Sequence, residues 1–174
     1  MNSYEFKSVW NIDAPIDIVW DNISQCRNWP EWWHYLENVD VLATGGGDGI
    51  GLTCRFVWRG VLPYSIDIIV KVTRVDRPFL IEGETSGDLE GTGRWIFICE
   101  NTGSTKVEYI LDVKTTKPWM NILAPALSWF FKWNHNRVMS AGRDGLIHYL
   151  RFAENGQTER SVENHLPGTS RISP

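Results

Sequence analysis

Cysteines are few in this sequence and metal-binding clusters are absent, which excludes several classes of protein. The 174-residue chain has three cysteines, Cys26, Cys54 and Cys99, which are far apart and form no CxxC motif. This usage is typical of reduced thiols in a cytoplasmic protein and not of a disulfide framework. The four histidines never stand at HxxxH spacing, and no cysteine pair joins them. We therefore expect neither a metal site nor a cofactor.

Basic residues and long apolar runs are also scarce. The 17 Lys and Arg residues are scattered among 21 Asp and Glu residues, for a net charge of −4. No basic stripe could follow a phosphate backbone, so nucleic acid is not an expected partner. No uninterrupted apolar run approaches the roughly 18 residues of a membrane-spanning helix. The first residues, MNSYEFKSVW, lack the basic and apolar regions of a secretion signal, so we expect a cytoplasmic location.

Tryptophan, by contrast, is abundant, with ten residues in the chain. That many large rings indicate either a very aromatic core or a cavity walled by aromatic side chains. Three of them, Trp29, Trp32 and Trp33, fall within five positions and directly precede His34. We expect His34 to be a surface or capping residue, because nothing near it in sequence would make it a base.

The hydrophobic periodicity predicts one domain that mixes strands and helices. Alternation predicts a first strand over 4–12, and proline-initiated helical segments follow at DAPIDIVWDNI and NWPEWW. A long helix is predicted over 126–151, so the domain covers 1–152 and a polar, disordered tail covers 153–174. Between these helical regions, six further strands separated by turn residues are predicted over 36–43, 51–59, 64–76, 79–86, 91–100 and 105–115.

Four stretches resemble a known superfamily: VWNIDAPIDIVWDNI, NWPEWW, GDLEGTGRW and PWMNILAP…FKWNHNRVM. Over about residues 4 to 150 the chain is similar to the SRPBCC or START-like proteins of the polyketide cyclase/dehydrase and lipid transport type. The resemblance implies an α+β helix-grip fold, in which a curved antiparallel sheet of about seven strands wraps around a long C-terminal helix. Two short helices follow the first strand. The superfamily includes carriers, cyclases and receptors, so the fold does not decide the function.

The resemblance also implies a deep, mostly apolar cavity between the sheet and the long helix. It places the three clustered tryptophans beside one end of that cavity, either as a structural plug or in contact with a ligand. Within the wall, Tyr64, Tyr109 and Asn134 are the polar groups that could orient a ligand. Alternation and helical spacing predict that the wall consists of Phe56, Trp58, Tyr64, Ile66, Ile68, Trp95, Phe97, Tyr109, Leu111, Leu127, Phe131, Asn134 and Val138.

Charged residues on the predicted strands have two interpretations. Alternation with Phe56 and Trp95 sends Arg55, Arg59 and Arg94 to the outer face, where they would pair with glutamates across strands. A register slip at a bulge would instead bring Arg94 or Glu82 into the cavity as an anion or acid–base site. We favour the outer face.

Trp129 and Trp133 stand one turn apart on the predicted long helix, on the side away from the sheet. They either form an exposed apolar patch or are covered by the short helices or the tail. Lys132 and Arg143 flank the patch, and an exposed patch would favour a transient contact with a membrane or a protein.

Three functions fit the sequence. The first is the binding or transport of a small hydrophobic ligand, such as a lipid, an isoprenoid or a polyketide-like molecule. The second is a cyclase/aromatase or dehydratase that uses the same cavity without a metal. Its catalytic residues are unassigned, because the sequence shows no polar group with a perturbed pKa inside the cavity. The third is an interaction module that uses the Trp129 and Trp133 face.

Overall fold

A computed structural model describes the backbone of residues 3–60 and 64–163, and the side chains of residues 4–60, 64–117 and 129–153. Within these ranges, seven strands and three α-helices form the α+β architecture that was predicted. The helices are α1 (Ile16–Ser24), α2 (Trp29–Trp32) and α3 (Pro118–Glu163), and a 3₁₀ turn (Cys26–Asn28) joins the first two. The strands are β1 (Ser3–Ile12), β2 (Leu36–Thr44), β3 (Leu52–Arg59), β4 (Ser65–Asp76), β5 (Leu80–Gly87), β6 (Leu89–Asn101) and β7 (Ser104–Thr115).

The strands form one antiparallel sheet in the order β1-β7-β6-β5-β4-β3-β2. Strands β2 to β7 follow one another as a meander, and β1 then pairs with β7. The first two strands of the chain are therefore at opposite edges of the sheet. The segment that contains α1 and α2 connects these two edges, which places both short helices at one end of the curved sheet.

Helix α1 is short and amphipathic, and it covers part of the sheet. Pro15 precedes its first residue, where a missing amide hydrogen costs no helical hydrogen bond. Its buried side chains are Val19, Trp20 and Ile23. The indole of Trp20 packs on Phe97 of β6, with ring centroids 5.0 Å apart. This contact buries both rings in the core between α1 and the sheet.

Helix α2 packs very closely on α3 because α3 has glycine at the contact. A Cβ on Gly142 would lie 2.3 Å from Cε2 of Trp33, and one on Gly145 would lie 1.7 Å from the carbonyl oxygen of Trp32. Any larger residue at either position would force the short helix away. The two glycines thus fix the position of the tryptophan cluster against the long helix.

Helix α3 is longer at both ends than the predicted 126–151. It begins at Pro118 and its helical backbone continues to Glu163, past the start of the predicted tail. Residues 164–174 lie outside the described part of the chain, so a boundary at 152 and a disordered tail stay predictions. Among the described residues, no helix is long and apolar enough to cross a membrane.

The strand arginines lie on the outer face of the sheet and pair with carboxylates there. Nε of Arg55 donates to Asp67 across β3 and β4 at 2.9 Å. Arg59 lies 3.0 Å from Glu37, and Arg94 lies 3.6 Å from Glu82. Neither Arg94 nor Glu82 lines the cavity.

Candidate ligand-binding cavity

A cavity of about 190 Å³ lies between the sheet and α3. Its wall combines side chains from strands, from α2 and from the middle of α3. Among the described residues, no Asp, Glu, Lys or Arg lines it. The described wall therefore carries no fixed charge.

Most of the predicted wall residues line this cavity, and ligand contact by them stays a prediction. Phe97 does not line it, because its ring is covered by Trp20 in the core under α1. The side chain of Leu127 lies outside the described residues. The predicted residues that do line the cavity are Phe56, Trp58, Tyr64, Ile66, Ile68, Trp95, Tyr109, Leu111, Phe131, Asn134 and Val138.

Strand β1 supplies two wall residues that the sequence prediction missed, Tyr4 and Phe6. Phe6 is the pairing partner of Leu111 in β7, and directly paired residues share a face of the sheet. The alternation in β1 had placed both rings on one face. Their assignment to the cavity required the β1–β7 pairing, which the sequence pattern did not give. The other lining residues not predicted as wall are Trp29, Trp33, Val70, Leu89, His135 and Met139.

The tryptophan cluster at α2 forms one end of the cavity wall, and ligand contact by it stays a prediction. Trp29 and Trp33 line the cavity, whereas Trp32 stacks behind Trp33 with centroids 5.4 Å apart. The indole Nε1 of Trp33 donates to the carbonyl of Val138 at 2.8 Å, and Nε1 of Trp29 donates to the carbonyl of Ile23 at 3.0 Å. With their polar atoms satisfied, the two rings form a rigid apolar end wall.

His135 is the titratable base in the described wall, and the prediction missed it. It follows Phe131 by four residues and precedes Met139 by four, so helical spacing places all three on one face. Its Nε2 is buried and has no hydrogen-bond partner among the described residues. Burial lowers the pKa of His135 to about 4, so the imidazole is neutral at physiological pH.

Three tyrosines in the wall are also neutral. Burial raises the pKa of Tyr64 to about 12, with a smaller contribution from the repulsion that an ionised Tyr4 nearby would exert. Burial also raises the pKa values of Tyr4 and Tyr109. The hydroxyl of Tyr4 is buried and finds no hydrogen-bond partner in the described part of the chain. Hydroxyls and an imidazole therefore give this apolar wall polarity without charge.

The remaining predicted sites lie outside the cavity. His34 is exposed, and its ring is tilted by 43° against that of Tyr35, with centroids 4.1 Å apart. Trp129 is 67% exposed and Trp133 is 41% exposed, so both stand on the surface of α3. In the described ranges, no group of three or more His, Cys, Asp or Glu residues could hold a metal ion.

A curved antiparallel sheet around a long helix, with an aromatic cavity between them, defines a START-like helix-grip protein. Residues 4–146 match the family described as polyketide cyclase / dehydrase and lipid transport. The chain belongs to this family. A search of curated proteins found no significant match.

Solved structures share the fold at low sequence identity. A START superfamily protein from Mycobacterium smegmatis is 14% identical with a TM-score of 0.70, covering 86% of this chain and 98% of that one. An aromatase/cyclase from Streptomyces sp. R1128 is 15% identical with a TM-score of 0.69, covering 92% and 96%. A point mutant of norcoclaurine synthase from Thalictrum flavum is 13% identical with a TM-score of 0.57, covering 86% of this chain and 97% of that one.

Proposed function

We propose that the protein binds a small, uncharged hydrophobic molecule with a ring system in the cavity between the sheet and α3. The observation that carries this proposal is an open cavity whose described wall is aromatic, aliphatic and without fixed charge. Removing apolar ligand surface from water there contributes about 25 cal/mol per Å². A charged ligand group would lose its hydration and gain no partner of opposite charge in the described wall.

The size of the cavity supports a compact ligand. A volume of about 190 Å³ accommodates roughly a dozen water-sized groups. A molecule with one to three fused rings matches this volume, whereas a phospholipid with two acyl chains exceeds it. Among the ligand classes considered from sequence, a cyclised polyketide-like or isoprenoid molecule is therefore favoured over a membrane lipid.

Two unsatisfied polar atoms support a ligand with one hydrogen-bonding group. The hydroxyl of Tyr4 and Nε2 of His135 belong to wall residues, and neither has a hydrogen-bond partner among the described residues. Leaving such a group buried and unpaired costs about 1–3 kcal/mol. A small side-chain rotation would allow a ligand hydroxyl or carbonyl to satisfy either atom and would orient the ligand.

The first experiment is native mass spectrometry of the purified protein, followed by organic extraction and identification of any passenger. Binding of 2-naphthol, naphthalene and 2-naphthoate would then be measured by tryptophan fluorescence. We expect 2-naphthol to bind more tightly than naphthalene, and 2-naphthoate to bind at least about tenfold more weakly than 2-naphthol, because the anion must be desolvated.

A cavity-filling substitution tests the binding site, and the same substitution on the surface is its matched control. Ile66→Trp places a large ring in the wall, whereas Ile98→Trp makes the same change at an exposed position of β6. We expect only the first substitution to abolish binding. A protein that carries no passenger and binds none of the three probes would overturn the proposed function.

An enzyme of the cyclase/aromatase or dehydratase type is the second candidate, and His135 is the observation that favours it. A neutral imidazole in the cavity could accept a proton from a β-polyketone chain. A base works best when its pKa is near the operating pH, and a pKa of about 4 is well below it. Binding is therefore the better-supported function. Turnover of a linear β-polyketone by the wild type but not by His135→Phe would favour the enzyme.

A further inference from the structure

Two of the cysteines are adjacent in space although 28 residues separate them in sequence. Cys26 lies in the 3₁₀ turn before α2 and Cys54 lies in β3, and their Sγ atoms are 3.0 Å apart. Both residues are buried and neither lines the cavity. The sequence prediction treated the three cysteines as isolated thiols, because their spacing contained no motif.

We propose that Cys26 and Cys54 form a modification site, a dithiol that a peroxide or a small disulfide converts into an intramolecular disulfide. A disulfide places its sulfur atoms about 2.05 Å apart, so the two sulfurs need to approach by roughly 1 Å. A movement of that size is within reach of side-chain rotation and a small shift of the one-turn 3₁₀ segment. The proposal is independent of the ligand that the cavity binds.

The environment of the pair assigns different roles to the two sulfurs. The hydrogen bond with Cys26 lowers the pKa of Cys54, burial opposes this effect, and the charge of Arg27 lowers the pKa further. The same hydrogen bond raises the pKa of the Cys26 thiol, and burial adds to the effect. Either sulfur can donate in the 3.0 Å hydrogen bond between them. When Cys26 donates, Cys54 carries the thiolate character and is the better nucleophile.

The reaction with hydrogen peroxide balances without another reactant. The Cys54 thiolate attacks one peroxide oxygen, the O–O bond breaks, and hydroxide leaves and takes a proton to become water. The sulfur of Cys26 then displaces hydroxyl from the Cys54 sulfenic acid, which releases a second water molecule. Two thiols lose two electrons and two protons, and peroxide is reduced to two water molecules.

The bond would join the two sides of the tryptophan end wall. Trp29 follows Cys26 by three residues, and Phe56 follows Cys54 by two. Their rings already pack with centroids 5.4 Å apart. A Cys26–Cys54 disulfide would tie α2 to β3 beside this contact. In the reducing cytoplasm that the sequence predicts, the pair would rest as two thiols and oxidise only under oxidant exposure.

Peptide mapping under non-reducing conditions tests the site directly. The wild-type protein would be exposed to graded hydrogen peroxide, quenched with an alkylating agent and digested. We expect a linked Cys26–Cys54 peptide and an intact-mass loss of about 2 Da, equal to two hydrogen atoms, both reversed by dithiothreitol. We also expect Tm to rise by roughly 5–10 °C, because the crosslink reduces the conformational freedom of the unfolded chain.

The exposed Cys99 is an internal control, since it has no cysteine partner in the described part of the chain. Cys99→Ser should leave the linked peptide unchanged, whereas Cys26→Ser and Cys54→Ser should each abolish it. If Cys99 is oxidised in the wild type while Cys26 and Cys54 remain free thiols, the proposal is wrong. Conversion of Cys54 to a sulfinic acid without any linked peptide would also overturn it.

Discussion

The imidazole ring of His135 lies on the phenyl ring of Phe6, with centroids 4.3 Å apart and planes 25° from parallel. Phe6 belongs to β1 and His135 to α3, so this contact joins an edge strand of the sheet to the helix that covers it. The histidine is held in an apolar site, where a charged imidazolium would lose hydration. The packing of these two rings therefore couples the proton affinity of His135 to the folded state.

We predict that protonation of His135 destabilises the fold. Its pKa is about 4 in the folded protein and 6.5 in the unfolded chain, so the unfolded state binds more protons between these values. The stability should be fully present above pH 6.5 and fall as the pH drops toward 4, by about 3 kcal/mol in total. Denaturant unfolding across this pH range measures the effect.

His135→Phe isolates this contribution from the other titrating groups. As the pH falls from 6.5 to 4, the unfolding free energy of the wild type should decrease relative to that of the variant. His34→Phe is the matched control, because it removes an exposed histidine that lies outside the cavity. An NMR titration that places the pKa of His135 near 6.5 would contradict the prediction.

The fold was predictable from sequence because each strand has its own alternation and turn residues end it. The predicted ranges 36–43 and 105–115 correspond to observed strands Leu36–Thr44 and Ser104–Thr115. In a sheet built as a meander, pairing of neighbours in sequence then follows almost directly. Most wall residues on β3, β4, β6 and β7 could be named because a period of two fixes which side chains point inward.

The parts of the site that were missed depend on contacts between distant segments. The role of Tyr4 requires the pairing of β1 with β7, and the Cys26–Cys54 pair requires the 3₁₀ turn to pack on β3. His135 was different, because its helical spacing from Phe131 was visible in the sequence. Its neighbour Asn134 was assigned to the wall instead, and both side chains in fact line the cavity.

We predict that Gly142→Ala destabilises the protein although alanine favours helix by about 1 kcal/mol. The new methyl group would lie 2.3 Å from Cε2 of Trp33. The indole cannot turn aside freely, because its Nε1 donates to the carbonyl of Val138 at 2.8 Å. The net cost should be about 1–3 kcal/mol in unfolding free energy, measured by urea titration.

A surface position of α3 provides the control for this substitution. Ser140 is exposed two residues before Gly142. Ser140→Ala should change the stability by less than about 0.5 kcal/mol. Gly142→Ala with wild-type stability would show that α2 can move away from α3 without loss.

We predict that Thr105→Val destabilises the junction between β1 and α1. Thr105 is fully buried, and its Oγ1 donates to the carbonyl of Ala14 at 2.7 Å. Valine keeps the shape but leaves that carbonyl without this donor, at a cost of about 1–3 kcal/mol. The control Thr73→Val makes the same change on an exposed residue of β4, where about 0.5 kcal/mol or less is expected. Equal stability of the two variants in urea would contradict the prediction.

Trp129 and Trp133 are exposed at 67% and 41%, and Phe130 stacks on Trp133 with centroids 5.6 Å apart. We predict that this surface associates weakly with anionic lipid vesicles. Exposed indoles enter the membrane–water interface, and the cationic Lys132 lies between the two tryptophans in sequence. Replacing both tryptophans with alanine should abolish co-sedimentation and leave Tm nearly unchanged, because neither ring is in the core. Phe152→Ala is the matched control, since Phe152 is 64% exposed farther along the same helix. Wild-type protein that remains in the supernatant at low ionic strength would contradict the predicted membrane contact.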